Sequence, residues 1–335
     1  TCAFTLAFLM IFLPYTVFHE AISWMIQGVL WISRQSYGML TIGHVPFLWV
    51  LLFYFMTGLW IWKKNGQNRH IRISLAYVIM IILIWIPMAR RKSLAFLDVG
   101  QGDCFVADTK SGAIIFDGGS SSEDQVGRYR ILPYMKYLGY QKIQIAVISH
   151  MDIDHYSGIK ELLEMGKIKY LGLPEIPKDE TMKKIIGIAK KRGTTIFYLS
   201  RGRQITTKDG SLKVLHPQKN SQMEKNAASL VMQGKILGYR VLLTGDVEKE
   251  GEEELLSEEL ERADILKAAH HGSKNSTSNE FLQKVQPKQT VISCGKQNRY
   301  GHPHLETIHR LQTYRTKIYR TDQSGAIIFF KRRDG

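Results

Sequence analysis

The chain has 335 residues, which is enough for two domains, and it carries a formal net charge of +15 at pH 7. Such an excess of Lys and Arg suits a polyanionic partner, either nucleic acid or an anionic membrane surface, and does not choose between them. The three cysteines, Cys2, Cys104 and Cys294, have no paired spacing. They imply neither a disulfide framework nor a cysteine-ligated zinc site, and since Cys2 lies in an apolar stretch, at most Cys104 and Cys294 could pair.

The first part of the chain is far more apolar than the rest. The runs at residues 46–62 and 71–88 are nearly long enough to cross a bilayer as helices. Residues 3–18 form a further span or the remainder of one. Residues 21–32 have helical periodicity, and we expect them to lie at the membrane interface or against other helices.

Basic residues flank the predicted spans. The short loop at residues 63–72 is basic, and so is the segment at 90–92. By the positive-inside rule the short loop faces the cytoplasm, which places the large C-terminal region on the extracytoplasmic side. The chain opens on Thr1 without a basic segment, so we expect a fragment of a longer membrane protein rather than a signal peptide. The pattern predicts transmembrane helices within residues 1–92.

The remainder, residues 93–335, is typical of a soluble α/β domain. Helical and strand patterns are mixed, and polar residues collect where strands end. Apolar strands are predicted to begin near Ile143, Arg240 and Asp264, and a helix is predicted from Ile159. The pattern favours an α/β sandwich in which sheets are covered by helices.

Four side chains of metal-ligand type lie within six residues at the end of the strand 143–148. If the pleat of the strand continues, His150, Asp152 and Asp154 share one side, and His155 approaches from the turn. Such a cluster repels itself and buries charge at a cost unless cations sit in it. The alternative is a polar surface loop with unrelated histidines.

Two other predicted strands end in residues of the same type. Asp246 follows one, and His270 and His271 follow the other. Strand ends at one edge of a sandwich can converge, and two divalent ions sharing Asp246 as a bridging ligand would activate water and stabilise a phosphoryl group. Taken alone, Asp246 is as typical of a turn as of a metal site. The two histidines, taken alone, could also be ordinary core or surface residues.

Three further aspartates lie in or beside glycine-rich turns. Asp98, Asp103 and Asp117 each follow or precede a short predicted strand. They are ordinary turn residues, or they hold ligand histidines in orientation through hydrogen bonds.

Several motifs together carry a resemblance. The segments His150–His155, Thr244–Asp246 and Leu266–Ser273 look like the metal-binding motifs of the metallo-β-lactamase fold. The segments Leu97–Asp103 and Tyr300–His304 narrow this resemblance to a smaller group of proteins. With the apolar segments upstream, the chain resembles the C-terminal half of the ComEC-type competence proteins, the DNA-uptake channels of the bacterial inner membrane.

The resemblance implies an αββα sandwich preceded by transmembrane helices in a multi-pass protein of the cell membrane. It implies two divalent metal ions, Mn²⁺ or Zn²⁺, and a nuclease that degrades the non-transported DNA strand. The expected partners are single-stranded DNA bound without regard to sequence, the membrane, other proteins of the competence machinery and further copies of the chain.

Site residues follow from the same resemblance. The expected metal ligands are His150, Asp152, Asp154, His155, Asp246 and His271. Asp154 and His270 are expected to act in catalysis. The expected substrate contacts are His302, His304, Lys274, Asn226 and Ser229. His302 and His304 flank Pro303 at a helix start, where free N–H groups bind phosphate, although a helix cap with surface histidines explains them equally well.

The ligand set departs from the broader superfamily in two places. Asp152 stands where a histidine is usual, and the separate histidine expected before Asp246 is missing, with Asn226–Leu230 at the nearest position. His216 is a weaker candidate for that role. A ligand set with more oxygen atoms and fewer nitrogen atoms favours a harder ion such as Mn²⁺ over Zn²⁺.

Three functions remain open from the sequence. The first is a metal-dependent DNA nuclease tethered to a channel, for which Lys274 and Arg299 would position phosphates. The second is a phosphodiesterase for choline- or lipid-like head groups. The third is a DNA-binding module without catalysis.

Overall fold

The computed structural model of the chain describes residues 91–223, 226–258 and 260–332 and, before these, residues 47–62 and a few short stretches. Residues 1–41 and Ile42–Gly335 form two compact units. Of the first unit, only six residues between positions 23 and 30 are described, and they are helical.

The helix of the apolar region that is described over its whole length is α1 (Phe47–Trp62), which has 16 residues and no charged side chain. It coincides with the predicted span at 46–62. Within the described residues, no helix is both long and apolar enough to cross a membrane. The predicted spans at 3–18 and 71–88 and the basic loop at 63–72 lie largely or wholly outside the described residues.

The rest of the chain forms two seven-stranded sheets. The strands of the first sheet are β1 (Ser93–Phe96), β2 (Phe105–Thr109), β3 (Gly112–Phe116), β4 (Ile143–Val147), β5 (Ile168–Pro174), β6 (Thr195–Leu199) and β14 (Ile327–Phe330). Their order is β14-β1-β2-β3-β4-β5-β6. Neighbours are antiparallel up to β3 and parallel from β3 to β6.

The second sheet repeats this plan. Its strands are β7 (Gln204–Thr207), β8 (Gly210–His216), β9 (Val231–Ile236), β10 (Tyr239–Leu243), β11 (Ile265–Lys267), β12 (Gln289–Ile292) and β13 (Lys317–Arg320). Their order is β13-β12-β11-β10-β9-β8-β7. The pairs from β7 to β10 are antiparallel and those from β10 to β13 are parallel.

The helices of this region are α2 (Leu132–Tyr137), which continues a π-helical turn at Gly127–Ile131, α3 (Ile153–Glu164), α4 (Glu180–Lys191), α5 (Lys249–Leu256), α6 (Asn279–Val285), α7 (Leu305–Thr313) and α8 (Thr321–Ser324). The helices from α2 to α7 connect parallel strands, and the short α8 leads from β13 to β14 in the other sheet. Two of them begin at side-chain caps, because Asp179 accepts the N–H of Met182 and Ser278 accepts that of Phe281.

Three hydrophobic layers hold the sandwich together. The central layer lies between the sheets and joins Phe96, Phe105 and Phe329 to Leu243 and Ile265. Two outer layers pack helices against the far face of each sheet. Each fully buried aliphatic or aromatic side chain contributes about 1.5–3 kcal/mol of transfer free energy. The predicted α/β sandwich is confirmed.

Candidate metal centre

The six-residue cluster is divided between a turn and a helix. β4 ends at Val147, Asp152 is the N-cap residue, and α3 begins at Ile153. The condition that the strand pleat continues to Asp154 is therefore not met, and the predicted helix start at Ile159 is wrong. Because the helix begins six residues earlier, Asp154 and His155 lie on its first turn.

A close backbone approach fixes that first turn. Gly118 N donates to the carbonyl of His155 at 2.8 Å, and Asp103 N donates to the carbonyl of Asp154 at 3.0 Å. A Cβ atom on Gly119 would lie 2.5 Å from the carbonyl oxygen of Ile153. Only glycine allows the loop after β3 to support the start of α3 in this way.

His155 is held from behind by a carboxylate. Its Nδ1 lies 2.9 Å from Asp117 Oδ2, and Asp117 Oδ1 accepts the Ser149 N–H at 2.7 Å. All three residues are buried. With its Nδ1 proton directed at Asp117, the ring presents the lone pair of Nε2 to Asp246, whose Oδ2 lies 3.2 Å away.

His271 presents its Nε2 to the same carboxylate oxygen. It follows β11 in the turn Ala269–Gly272, where His270 and His271 have φ values of 48° and 53°. Its Nδ1 donates to the carbonyl of Ser293 at 2.8 Å. Its Nε2 lies 3.2 Å from Asp246 Oδ2 and 3.5 Å from Asp154 Oδ2.

The four convergent atoms have the character of a divalent-cation site. The Nε2 atoms of His155 and His271 are buried and have no hydrogen-bond partner among the described residues. His155 Nε2 faces the carboxylate of Asp246, and His271 Nε2 faces the carboxylates of both Asp246 and Asp154. Lone pairs at these distances repel unless positive charge lies between them, and two imidazole nitrogens with two carboxylate oxygens suit Zn²⁺ or Mn²⁺.

The pKa shifts of these groups also indicate a site for a cation. Burial raises the pKa of Asp154, but the nearby His271 ring and the charges of His155 and His271 lower it overall, to about 2. Burial lowers the pKa of His271, but Asp246 and Asp103 outweigh it and raise the pKa to about 10. The pKa of His155 is also raised, by Asp246 and Asp117 against burial. The pocket therefore favours positive charge at the ring nitrogens.

Asp103 lies behind the histidines rather than in the pocket. One of its oxygens and one ligand atom each of His155, Asp246 and His271 all lie within 4.8 Å of one another. It approaches the Nδ1 atoms of His155 and His271, at 3.7 Å each, which is the side turned away from Asp154. Asp103 also forms an ion pair with Lys267.

Lys267 is a buried cation that sequence reasoning missed. Its Nζ lies 3.3 Å from Asp246 Oδ1 and 2.7 Å from the carbonyl of Gly245. Burial lowers its pKa, but Asp103 and Asp246 raise it above the ordinary value, so Lys267 is charged. The available signal was a lysine inside the otherwise apolar β11.

His150 and Asp152 form the other end of the cluster. His150 Nε2 lies 3.6 Å from Asp152 Oδ2, and the His150 ring centroid is 4.1 Å from that of His155. Ser149 Oγ and Ser229 Oγ lie 3.0 Å and 3.2 Å from His150 Nδ1. Ser229, predicted to contact substrate, is fully buried behind His150. This end offers one nitrogen and one carboxylate.

The rim of the pocket carries more histidines. His270 Nδ1 lies 3.0 Å from Glu248 Oε1, and its Nε2 lies 3.9 Å from Asp246 Oδ2. Its side chain is 23% exposed against 1% for His271. Of the two adjacent histidines, His271 thus occupies the pocket with Asp154, and His270 faces the space above it.

The remaining predicted residues are spread around the rim. The ring centroid of His302 lies 5.4 Å from that of His270, and burial with the charges of His271 and His270 lowers the pKa of His302 to about 4. His304 is the N-cap residue of α7, and its Nδ1 accepts the N–H of the exposed Lys274. Asn226 donates to Glu248 at 3.4 Å.

Two candidates lie apart from the cluster. Asp98 accepts the N–H of Gly100 at 3.2 Å, which is an ordinary turn interaction. His216 Nε2 donates to the carbonyl of Ala227, and its Nδ1 lies 2.7 Å from Glu254.

Comparison with known proteins gives a consistent result. A family model, the metallo-beta-lactamase superfamily, matches residues 97–296. ComE operon protein 3 of Bacillus subtilis (strain 168) is 34% identical over 294 residues, which cover 82% of this chain and 38% of that protein. Competence protein ComA of Neisseria gonorrhoeae is 30% identical over 248 residues, 71% of this chain and 32% of that protein.

Among solved structures, the metallo-beta-lactamase fold protein YhfI from Bacillus subtilis aligns with a TM-score of 0.48 and 13% identity. The alignment covers 70% of this chain and 99% of that one. The chain spans little more than a third of the length of ComE operon protein 3.

Proposed function

Because the chain belongs to the metallo-β-lactamase superfamily and, within it, to the ComEC-type competence proteins, we propose that residues 93–335 are a metal-dependent DNA nuclease that acts during DNA uptake. In this proposal the domain degrades the strand that is not transported. The apolar residues 1–92 anchor it to the cell membrane as the end of a multi-pass channel region, with the nuclease on the extracytoplasmic side.

The observation that carries the proposal is the convergence of Asp154, His155, Asp246 and His271 on one point. These four side chains would hold one divalent ion, and His150 with Asp152 would contribute to a second. A divalent ion supplies Lewis-acid stabilisation of phosphoryl charge and lowers the pKa of water, the two requirements of phosphodiester hydrolysis.

The protein's own side chains supply positioning and proton transfer. Asp117 and Ser293 fix the ring orientation of His155 and His271. His270 is the one histidine beside Asp246 that is both partly exposed and paired with a second carboxylate, Glu248. We assign it the proton that the leaving oxygen of the DNA requires.

DNA is favoured as substrate by charge. The chain carries +15, and Lys274 and Arg299 are exposed beside the rim of the pocket. Recognition through phosphates is independent of base sequence and weakens with salt. A carboxylate-rich ligand set with Asp152 at the second position favours Mn²⁺. Further competence proteins and other copies of this chain are the expected partners.

The test is cleavage of end-labelled single- and double-stranded DNA by the full chain in Mn²⁺, Zn²⁺ or Mg²⁺. Asp154→Ala and Asp246→Ala should reduce cleavage to the level of buffer. Glu164→Ala is the matched control, because Glu164 is a half-exposed carboxylate at the far end of α3. His270→Ala should slow cleavage about 10²–10⁴-fold with metal content unchanged.

The same assay separates the alternatives. If the metal-loaded chain leaves every DNA form intact, as Asp154→Ala does, the nuclease proposal fails. Parallel assays with phosphocholine diesters then decide between another phosphodiesterase and a binding module.

A further inference from the structure

Three rings run in series from the metal centre to the surface. The ring centroids of His271 and His302 are 6.2 Å apart with planes at 29°, and those of His302 and Tyr300 are 5.7 Å apart with planes at 21°. His271 is buried, whereas Tyr300 is 42% exposed. The outer end of the series therefore presents aromatic surface to solvent directly beside the pocket.

Arg299 holds the outer ring in place. Its guanidinium donates to the Tyr300 hydroxyl at 2.6 Å and lies over the ring, with Cζ 4.8 Å from the centroid. Among the residues that the structure describes, Arg299 forms no ion pair. A planar cation and an aromatic ring thus stand together at the rim, both are exposed, and both are groups on which a planar ligand can stack.

We propose that Tyr300 and Arg299 form a stacking site for a nucleobase of single-stranded DNA whose phosphate lies at the metal centre. The inference rests on the proposed nuclease function and adds that the DNA is bound as a single strand. Each base has a π face, so stacking tolerates any sequence. In a duplex those faces are covered by neighbouring bases, so this site favours an unpaired strand. A glycerol head group has no such face, and the positive charge of Arg299 disfavours the quaternary ammonium of a choline head group.

The experiment measures binding in the full chain with His270→Ala, which keeps the proposed metal ligands and consumes the probe slowly. The two probes are fluorescent oligothymidylate and an oligomer of equal length built from abasic sites, compared by fluorescence anisotropy. Tyr300→Ala should weaken binding of oligothymidylate about 5- to 100-fold and leave binding of the abasic oligomer unchanged. Tyr300→Phe, which keeps the ring, should lose much less.

Tyr129→Ala is the matched control, because Tyr129 is also exposed and lies on the π-helical turn instead of the rim. It should leave the binding of both oligomers as it was. The metal content of Tyr300→Ala in the otherwise unmodified chain reports on a merely structural role, and it should equal that of the unmodified chain.

Three results would overturn the inference: equal weakening for both oligomers, no weakening for either, or loss of metal from Tyr300→Ala. These outcomes are separate from the fate of the nuclease proposal. A chain that cleaves DNA but binds it equally well with Tyr300→Ala keeps its proposed function and lacks the stacking site. A chain that binds oligothymidylate through Tyr300 and cleaves no DNA has the stacking site and lacks the proposed nuclease function.

Discussion

The Nζ of Lys267 lies 3.3 Å from Oδ1 of Asp246, and the other oxygen of that carboxylate lies 3.2 Å from Nε2 of both His155 and His271. The two oxygens of Asp246 thus have different tasks. One is held by a buried ammonium group that also pairs with Asp103, and the other faces the pocket. Lys267 fixes the carboxylate and offsets part of the charge that the pocket concentrates.

Replacing Lys267 by Met leaves two buried carboxylates without their cation. We expect the free energy of unfolding of the metal-free protein to fall by about 3–5 kcal/mol, the usual cost of removing one partner from a buried ion pair. Urea unfolding followed by circular dichroism measures it. Lys183→Met, which removes one partner of an exposed pair with Glu180, should change little. Equal midpoints for the two variants would contradict the assignment.

The sequence predicts the sandwich and the three strand ends well, because buried strands are apolar and their polar exits stand out. It predicts the start of α3 poorly. Asp152 as N-cap and Asp154 in the first turn are helix-start signals, but a run of alternating polar residues after a strand resembles a continued strand. The role of Lys267 depends on Asp103, which lies in the loop between β1 and β2 of the other sheet, and no local pattern contains that pairing.

Asp117 and Asp98 are equivalent in sequence but differ in the structure. Asp117 bonds to Nδ1 of His155, whereas Asp98 holds the turn at Gly100. Asp117→Asn should lower metal affinity about 10- to 100-fold, because the ring loses the partner that sets its orientation and basicity. Competition with a chromophoric chelator gives the affinity. Asp98→Asn should match the unmodified chain, and equal losses in both would refute the distinction.

The two ends of the cluster should bind metal unequally. His155 belongs to a set of four converging donors, whereas His150 shares its end with Asp152. We expect His155→Ala to abolish the tightest binding and His150→Ala to remove only a weaker equivalent. Isothermal titration with Mn²⁺ resolves both steps. Loss of the tight step in His150→Ala with its retention in His155→Ala would reverse the assignment.

Gly119 couples the stability of the fold to the pocket. A methyl group there would lie 2.5 Å from the carbonyl of Ile153, so Gly119→Ala must displace the first turn of α3. Both thermal stability and metal affinity should fall. Gly187 in α4 has no atom within 4 Å of an added Cβ, and Gly187→Ala should stabilise by about 0.5–1 kcal/mol. Unchanged metal binding in Gly119→Ala would separate the loop from the site.

Asp264 provides a pH-dependent contribution far from the pocket. Burial raises its pKa, but the Arg240 N–H, Lys288 and Arg332 outweigh burial and lower the pKa overall. Stability from a lowered carboxyl pKa is present above the unfolded value of about 4. It is lost as pH falls through the folded value.

Asp264→Asn should therefore reduce the free energy of unfolding by about 1.5–3 kcal/mol at pH 7, the range for hydrogen bonds to a charged group. The difference from the unmodified chain should shrink as the pH falls below about 4, because the carboxylate of the unmodified protein then takes up its proton. Urea unfolding at a series of pH values measures this difference. Glu164→Gln controls for general charge effects, and a difference that stays constant from pH 7 to acid would rule out ionisation of Asp264 as its cause.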